Sequence, residues 1–182
     1  MIRLLFSKYK YALLLSFVLC VVIVAIRLES RWYNFIFIIL GALFGTFLLD
    51  SDYIFFTYFI DPKHYFSVNI QHLVKQRNFS GALQYINYHK GELRGLPLHS
   101  TLFQVLLAIV SLYIMLATKS VFGKTLTLVM MGQIFFEQAQ DYMEKKDIGN
   151  WFWVLKVKPA KEALIFYFAL LGVFFLYLLS LA

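Results

Sequence analysis

Two pairs of carboxylates lie at the ends of apolar segments, where charged side chains are costly and call for an explanation. Glu137 and Asp141 are spaced i, i+4, so they share a helical face and repel each other unless a cation or a proton lies between them. Asp50 and Asp52 do not share a helical face, but at a helix end both can reach one ion. Hard divalent cations prefer oxygen ligands, so the two pairs indicate metal chemistry.

Each pair also has an ordinary structural interpretation. Asp50 and Asp52 form a solvated helix terminus if the second apolar helix ends there. If that helix instead continues to Ile60, the pair is buried in mid-helix and needs a partner. The ordinary explanation for Glu137 and Asp141 is a hydrated helix C-terminus. Acidic residues are unfavourable at that end because of the helix dipole.

His99 and Arg94 precede the third apolar run, within the segment Arg94–Ser100. An imidazole is a common ligand of divalent metals, and a guanidinium group suits the phosphate of a substrate. The alternative is that His99 is structural or solvated, which is the usual role of a lone histidine at the start of a helix.

The composition of the chain is that of an integral membrane protein. Of its 182 residues, 61% are hydrophobic and 15% are charged, against about 25% charged in soluble domains. Mean hydropathy is +0.71. These values exclude a soluble domain, a disordered chain and a collagen-like fibre. The single cysteine, Cys20, excludes an internal disulfide.

Five stretches approach the roughly 20 apolar residues that a spanning helix needs. The sequence therefore predicts an all-α fold, a polytopic helical membrane protein with about five transmembrane helices. They are predicted at residues 9–28, 32–50, 100–118, 120–141 and 162–182. The loop 51–99 has the pattern of one or two amphipathic helices in the interface, with a break near residues 78–81. Gly41 and Gly45 predict close packing of the second helix on a neighbour, and Trp151 and Trp153 are interpreted as interfacial anchors.

The distribution of basic residues predicts the orientation. Most of the 17 lysines and arginines fall in the N-terminal stretch and in the second and fourth loops, which share one side of the membrane. The positive-inside rule makes that side cytoplasmic, with the N-terminus inside and the C-terminus outside. This topology brings five ionisable groups to the cytoplasmic face as a candidate catalytic and metal site: Asp50, Asp52, His99, Glu137 and Asp141.

Over roughly Gly41 to Asp141 the chain resembles the membrane-bound metal-dependent hydrolase family, whose members are also described as LexA-binding inner-membrane hydrolases. The similar motifs are a glycine-rich helix ending in an acidic pair (41–52), an Arg-Gly to His-Ser element (94–100) and a Gly to Asp helix (132–141). The chain departs from the family pattern in having no histidine in its first helix, and Glu137 where the family usually has histidine. The resemblance implies a plasma or inner membrane and a divalent ion, which could be zinc, manganese or magnesium.

Two functional hypotheses follow. In the first, the ion held by the five groups activates water and polarises an ester or phosphoester, of a lipid-like substrate, while Arg94 binds substrate phosphate. In the second, the chain is a non-catalytic membrane scaffold or anchor subunit derived from the same family, whose basic cytoplasmic loops bind a protein partner. Membrane lipids are expected partners in both hypotheses, and nucleic acid is expected in neither.

Overall fold

The computed structural model describes residues 2–27, 31–89, 93, 95–145, 148–155 and 159–182, with the side chains of 2–8, 87 and 145 left aside. These residues form eight α-helices, a π-helical turn and a 3-10 turn, with no β-strand among them, which confirms the all-α prediction. The helices are α1 (Ile2–Arg27), α2 (Trp32–Leu48), α3 (Ser51–Phe55), α4 (Tyr65–Lys75), α5 (Phe79–His89), α6 (Thr101–Ala117), α7 (Val121–Lys145) and α8 (Lys161–Ser180). The π-helical turn is Phe56–Ile60 and the 3-10 turn is Gly149–Phe152.

Helix α7 is the centre of the bundle. It packs against α1, α2, α6 and α8, and its contact with α2 is the most extensive between any two described elements. Leu128, Val129 and Ile134 in its middle are fully buried. Because other helices surround α7, its polar side chains are enclosed by protein, where hydrogen bonds can satisfy them.

The packing of α2 on α7 depends on two glycines, as the sequence predicted. A Cβ atom added to Gly41 would lie 2.8 Å from the carbonyl oxygen of Phe122, and one added to Gly45 would lie 2.8 Å from that of Leu126. Both contacts are with backbone, which cannot move aside as a flexible side chain can. The two glycines therefore fix the register between α2 and α7, and with it the positions of the acidic residues farther along both helices.

The second helix bends where the first acidic pair lies. Helix α2 ends at Leu48, and the segment Ser51–Ile60 continues in a direction that differs by 44°. Asp50 lies in the turn between the two helices, and Asp52 lies in the first turn of α3. The helical path therefore continues past Asp50 and Asp52 to Ile60 after a bend, and it does not end at the acidic pair.

Two of the described helical segments, Tyr9–Arg27 and Lys161–Ser180, are long and apolar enough to cross a membrane, and the bent α2–α3 pair makes a third if it counts as one span. The sequence predicted about five. Helix α6 is apolar but has only 17 residues. Helix α7 has polar residues that face its neighbours rather than the outside, and these lower its hydropathy.

The predicted interfacial loop 51–99 contains α3 and the π-helical turn, followed by two further helices, α4 and α5, which pack against each other. They are separated at residues 76–78, where Arg77 adopts a left-handed backbone conformation with φ of 56°. Phe66 and Ile70 of α4 belong to a buried cluster with Tyr53 and Phe56. The α4–α5 hairpin therefore supports α3, the helix that positions Asp52.

Candidate functional site

Asp52 is fully buried and accepts three hydrogen bonds through its Oδ2 atom. The backbone N–H of Leu98 donates at 2.8 Å and that of His99 at 3.1 Å. The Nδ1 atom of His99 lies 3.0 Å from the same oxygen. These contacts join α3 to the segment before α6, and they exclude a solvated helix terminus as the explanation for Asp52.

His99 connects Asp52 to the central helix. Its Nε2 atom lies 3.1 Å from Oε2 of Glu137 on α7. A neutral imidazole has one N–H donor, whereas the imidazolium ion has two and can donate to both carboxylates. Burial lowers the pKa of His99, but the hydrogen bonds and charges of Asp52 and Glu137 outweigh burial and raise the pKa to about 9. The two carboxylate contacts therefore favour the doubly protonated form of His99.

Aromatic rings surround the His99 imidazole. The ring centroid of Tyr53 lies 5.8 Å from that of His99, and the ring centroid of Trp151 lies 5.2 Å away on the 3-10 turn. Trp151 donates from Nε1 to Oδ2 of Asp141 at 2.9 Å, and its carbonyl oxygen accepts from Thr101 at 3.0 Å. Trp151 therefore links Asp141 to the imidazole and to the start of α6.

Asp50 lies at the edge of this group and accepts a hydrogen bond from the hydroxyl of Tyr9 on α1. The charges of Asp50, Asp52, Glu137 and Asp141 all act on the side chain of Tyr53. The four predicted carboxylates and the predicted histidine therefore gather at one end of the bundle, around Tyr53 and His99. Arg94, the predicted substrate-binding residue, lies outside the described residues.

The gathered carboxylates do not converge on a single point. Within the described ranges, no three histidine, cysteine, aspartate or glutamate side chains are disposed to hold one metal ion. One observation fits a cation nonetheless. The Oδ1 atom of Asp52 is buried without a hydrogen-bond partner, and a buried, unpartnered carboxylate oxygen is a suitable ligand for a hard ion. The metal therefore stays a prediction.

The sequence did not identify Trp151 and Tyr9 as residues of this site. Trp151 was interpreted as an interfacial anchor, but it is 2% exposed and bonds to Asp141. Its neighbour Trp153 retains 39% exposure. Tyr9 has no sequence signal of its own, because its contact with Asp50 spans 41 positions of the chain. Only the packing of α1 against α2 brings these two side chains together.

Comparison of the chain with protein-family models, curated proteins and solved structures returns no match.

Proposed function

We propose that the chain is a membrane-embedded, metal-dependent hydrolase that acts on an ester or phosphoester at the headgroup level of the bilayer. The observation that carries this proposal is the connected set of Asp52, His99 and Glu137. Three separate segments of the chain bring these groups together, and an imidazole bound on both sides by carboxylates is suited to moving protons.

The different exposures of the three groups indicate different roles. The side chain of Asp52 is fully buried, that of His99 is 14% exposed and that of Glu137 is 33% exposed. Glu137 is therefore the carboxylate that water and substrate can reach, and it acts as general base toward the attacking water. His99 donates a proton to the leaving oxygen, while Asp52 holds the ring in place through Nδ1.

A divalent ion would bind at the unpartnered Oδ1 of Asp52, and the carboxylates of Asp50, Glu137 and Asp141 would add negative charge around it. Both ring nitrogens of His99 face carboxylates, so His99 would not be a ligand. The unpartnered Oδ1 of Asp52 supports this assignment. When bound, the ion supplies Lewis-acid polarisation of the scissile group and lowers the pKa of bound water. Zinc, manganese and magnesium all accept parts of this donor set.

The exposed apolar surface of the helices supports placement of the chain in a membrane. Large apolar side chains are exposed on α1, α2, α6 and α8, including Phe17, Ile39, Ile109 and Phe166. Such a surface is suited to lipid. We propose that α6 and α7 join the apolar spans as five membrane helices of a plasma or inner membrane, with the N-terminus and the site on the cytoplasmic side. The substrate is then lipid-like, and Arg94 binds its phosphate.

The test is hydrolysis by purified protein of a short-chain phospholipid and of a nitrophenyl ester, after chelation and after return of zinc, manganese or magnesium. The variants are Asp52→Asn, His99→Gln and Glu137→Gln, with Asp61→Asn as a matched control because Asp61 is exposed. We expect each site variant to lose about 100-fold or more of the activity, the usual scale for acid–base groups. Activity that is absent from the parent protein with every metal contradicts the proposal.

A second candidate function is the non-catalytic scaffold, and the charge balance of the site favours it. A protonated His99 neutralises part of the charge of Asp52 and Glu137, so the three side chains form a structural link without any ion. In that case the site variants lower thermal stability while the parent protein neither hydrolyses substrate nor retains metal. The basic loops then bind a protein partner, and a defined partner co-purifies with the chain.

A further inference from the structure

A cavity of about 440 Å³ opens at the end of the bundle opposite the His99 site. It lies where α1 ends, α2 begins and α6 meets α7. Four basic side chains line it, together with Tyr33 and Asn34: Arg27, Arg31, Lys119 and Lys124. No acidic side chain of the described residues is among its lining residues. Its volume falls within the range of about 300–1,000 Å³ that is usual for small-ligand sites.

The basic groups come from different segments, and contacts with neighbouring residues hold two of them. Arg31 donates from Nη1 to the hydroxyl of Tyr33 at 2.9 Å, and Lys124 donates from Nζ to the carbonyl oxygen of Leu181 at 3.1 Å. Arg27 lies close enough for its charge to act on Lys124. The four basic groups therefore face one cavity from the end of α1, the start of α2, the α6–α7 connection and the start of α7.

This cavity is distinct from the His99 site. Helix α7 begins beside the cavity at Val121 and reaches Glu137 sixteen residues later. At 1.5 Å per residue, the two sites are about 24 Å apart along the helix. The cavity also lies where the apolar spans Tyr9–Arg27 and Lys161–Ser180 both end. Trp32, which begins α2, is 74% exposed there, and exposed tryptophan at a span end is typical of the lipid headgroup level.

We propose that this cavity binds a phosphate group, as a phosphodiester of an anionic phospholipid headgroup or as a free phosphate ion. Guanidinium groups match phosphate oxygens with two parallel hydrogen bonds, and ammonium groups add point charges. The pair Arg27 and Arg31 supplies the first kind of group, and the pair Lys119 and Lys124 supplies the second. The proposal does not depend on hydrolysis at the His99 site.

The test uses the full chain purified in a neutral detergent and three probes: short-chain phosphatidylglycerol, short-chain phosphatidylcholine and inorganic phosphate. Binding is measured by native mass spectrometry and by isothermal titration. The test variant is Arg31→Gln with Lys119→Gln, since both side chains are exposed and their replacement leaves the bundle core intact. The matched control is Lys75→Gln, on α4 in the loop at the other end. Circular dichroism and thermal unfolding confirm that each variant is folded.

We expect the parent protein and the Lys75→Gln control to bind an anionic probe equally, and the double variant to bind it about tenfold more weakly or worse. Binding of phosphatidylglycerol alone identifies the source as lipid, and equal binding of inorganic phosphate identifies a free phosphate site. The proposal is overturned if the parent binds neither anionic probe, or if phosphatidylcholine binds as tightly as phosphatidylglycerol. It is also overturned if the double variant and the control lose binding equally.

Glu29 provides an independent check, because it lies between Arg27 and Arg31 in the sequence and outside the described residues. The proposal predicts that Glu29→Gln binds the anionic probe at least as tightly as the parent protein does. If Glu29→Gln binds an anion and the parent protein does not, then Glu29 already neutralises the basic groups of the cavity in the natural chain, and the proposal is wrong.

Discussion

Replacement of Asp52 by asparagine should destabilise the protein, although the two side chains have nearly the same shape. In the native chain Oδ2 of Asp52 accepts from two backbone N–H groups and from His99, at 2.8 to 3.1 Å. The asparagine oxygen can keep these three bonds but loses its charge. Hydrogen bonds to charged groups contribute about 1 kcal/mol more than neutral ones, so three of them amount to about 3 kcal/mol.

A second effect is nearly neutral. The asparagine Nδ2 atom takes the place of Oδ1, which is buried and has no hydrogen-bond partner, so one unsatisfied buried atom replaces another. Relief of the buried negative charge opposes the loss of the charge-assisted bonds, so we expect a net loss of about 1–3 kcal/mol. For a chain of this size that corresponds to a fall of about 2–12 °C in the unfolding temperature.

The assay is thermal unfolding in detergent, followed by tryptophan fluorescence, at fixed detergent and protein concentration. Asp61→Asn is the matched control, because it makes the same chemical change at an exposed position and should alter stability by less than about 0.5 kcal/mol. If Asp52→Asn melts at the same temperature as Asp61→Asn, or higher, then Asp52 is not held as described, and the reasoning about its three bonds is refuted.

Three further outcomes concern His99, the glycines and Trp151. In metal-free protein the raised pKa of His99, about 9 against 6.5, stabilises the fold fully below pH 6.5. This stabilisation, about 3 kcal/mol at most, is lost as the pH rises through 9, and His99→Gln should flatten that part of the profile of unfolding temperature against pH. Gly45→Leu should lower stability by about 1–3 kcal/mol because α7 backbone blocks the added side chain, whereas Gly172→Leu, with nothing within 4 Å, should change it little. Trp151→Phe keeps a ring beside His99 but removes the donor to Asp141, so it should lower the unfolding temperature less than Asp52→Asn and reduce hydrolysis.

Local pattern and composition were sufficient for the class of fold and for one packing contact. An apolar, helix-compatible sequence predicts helices, and the spacing of Gly41 and Gly45 predicts a close helix contact, which the structure confirms between α2 and α7. The number of spans was less predictable. The apolar stretch within α7 predicts a membrane span, whereas its buried polar residues, such as Gln133 and Gln138, lower its hydropathy and make hydrogen bonds to neighbouring side chains.

The candidate site was predictable as a group of residue types but not as a set of partners. The cost of charge near lipid singled out Asp52, His99 and Glu137, and the structure joins these three. Which carboxylate bonds to which group depends on the 44° bend after α2 and on the turn that contains Trp151. Both features arise from tertiary packing, which a periodic pattern does not encode.

The most direct test of the central claim is the protonation state of His99, measured by nitrogen NMR of protein labelled at histidine, with the signal assigned by its loss in His99→Gln. The account predicts that in metal-free protein His99 stays doubly protonated past pH 8, and that its pKa falls in Asp52→Asn and in Glu137→Gln. A His99 that titrates near its ordinary value of 6.5, with neither substitution changing it, would contradict the proposed contact between this imidazole and its two carboxylates.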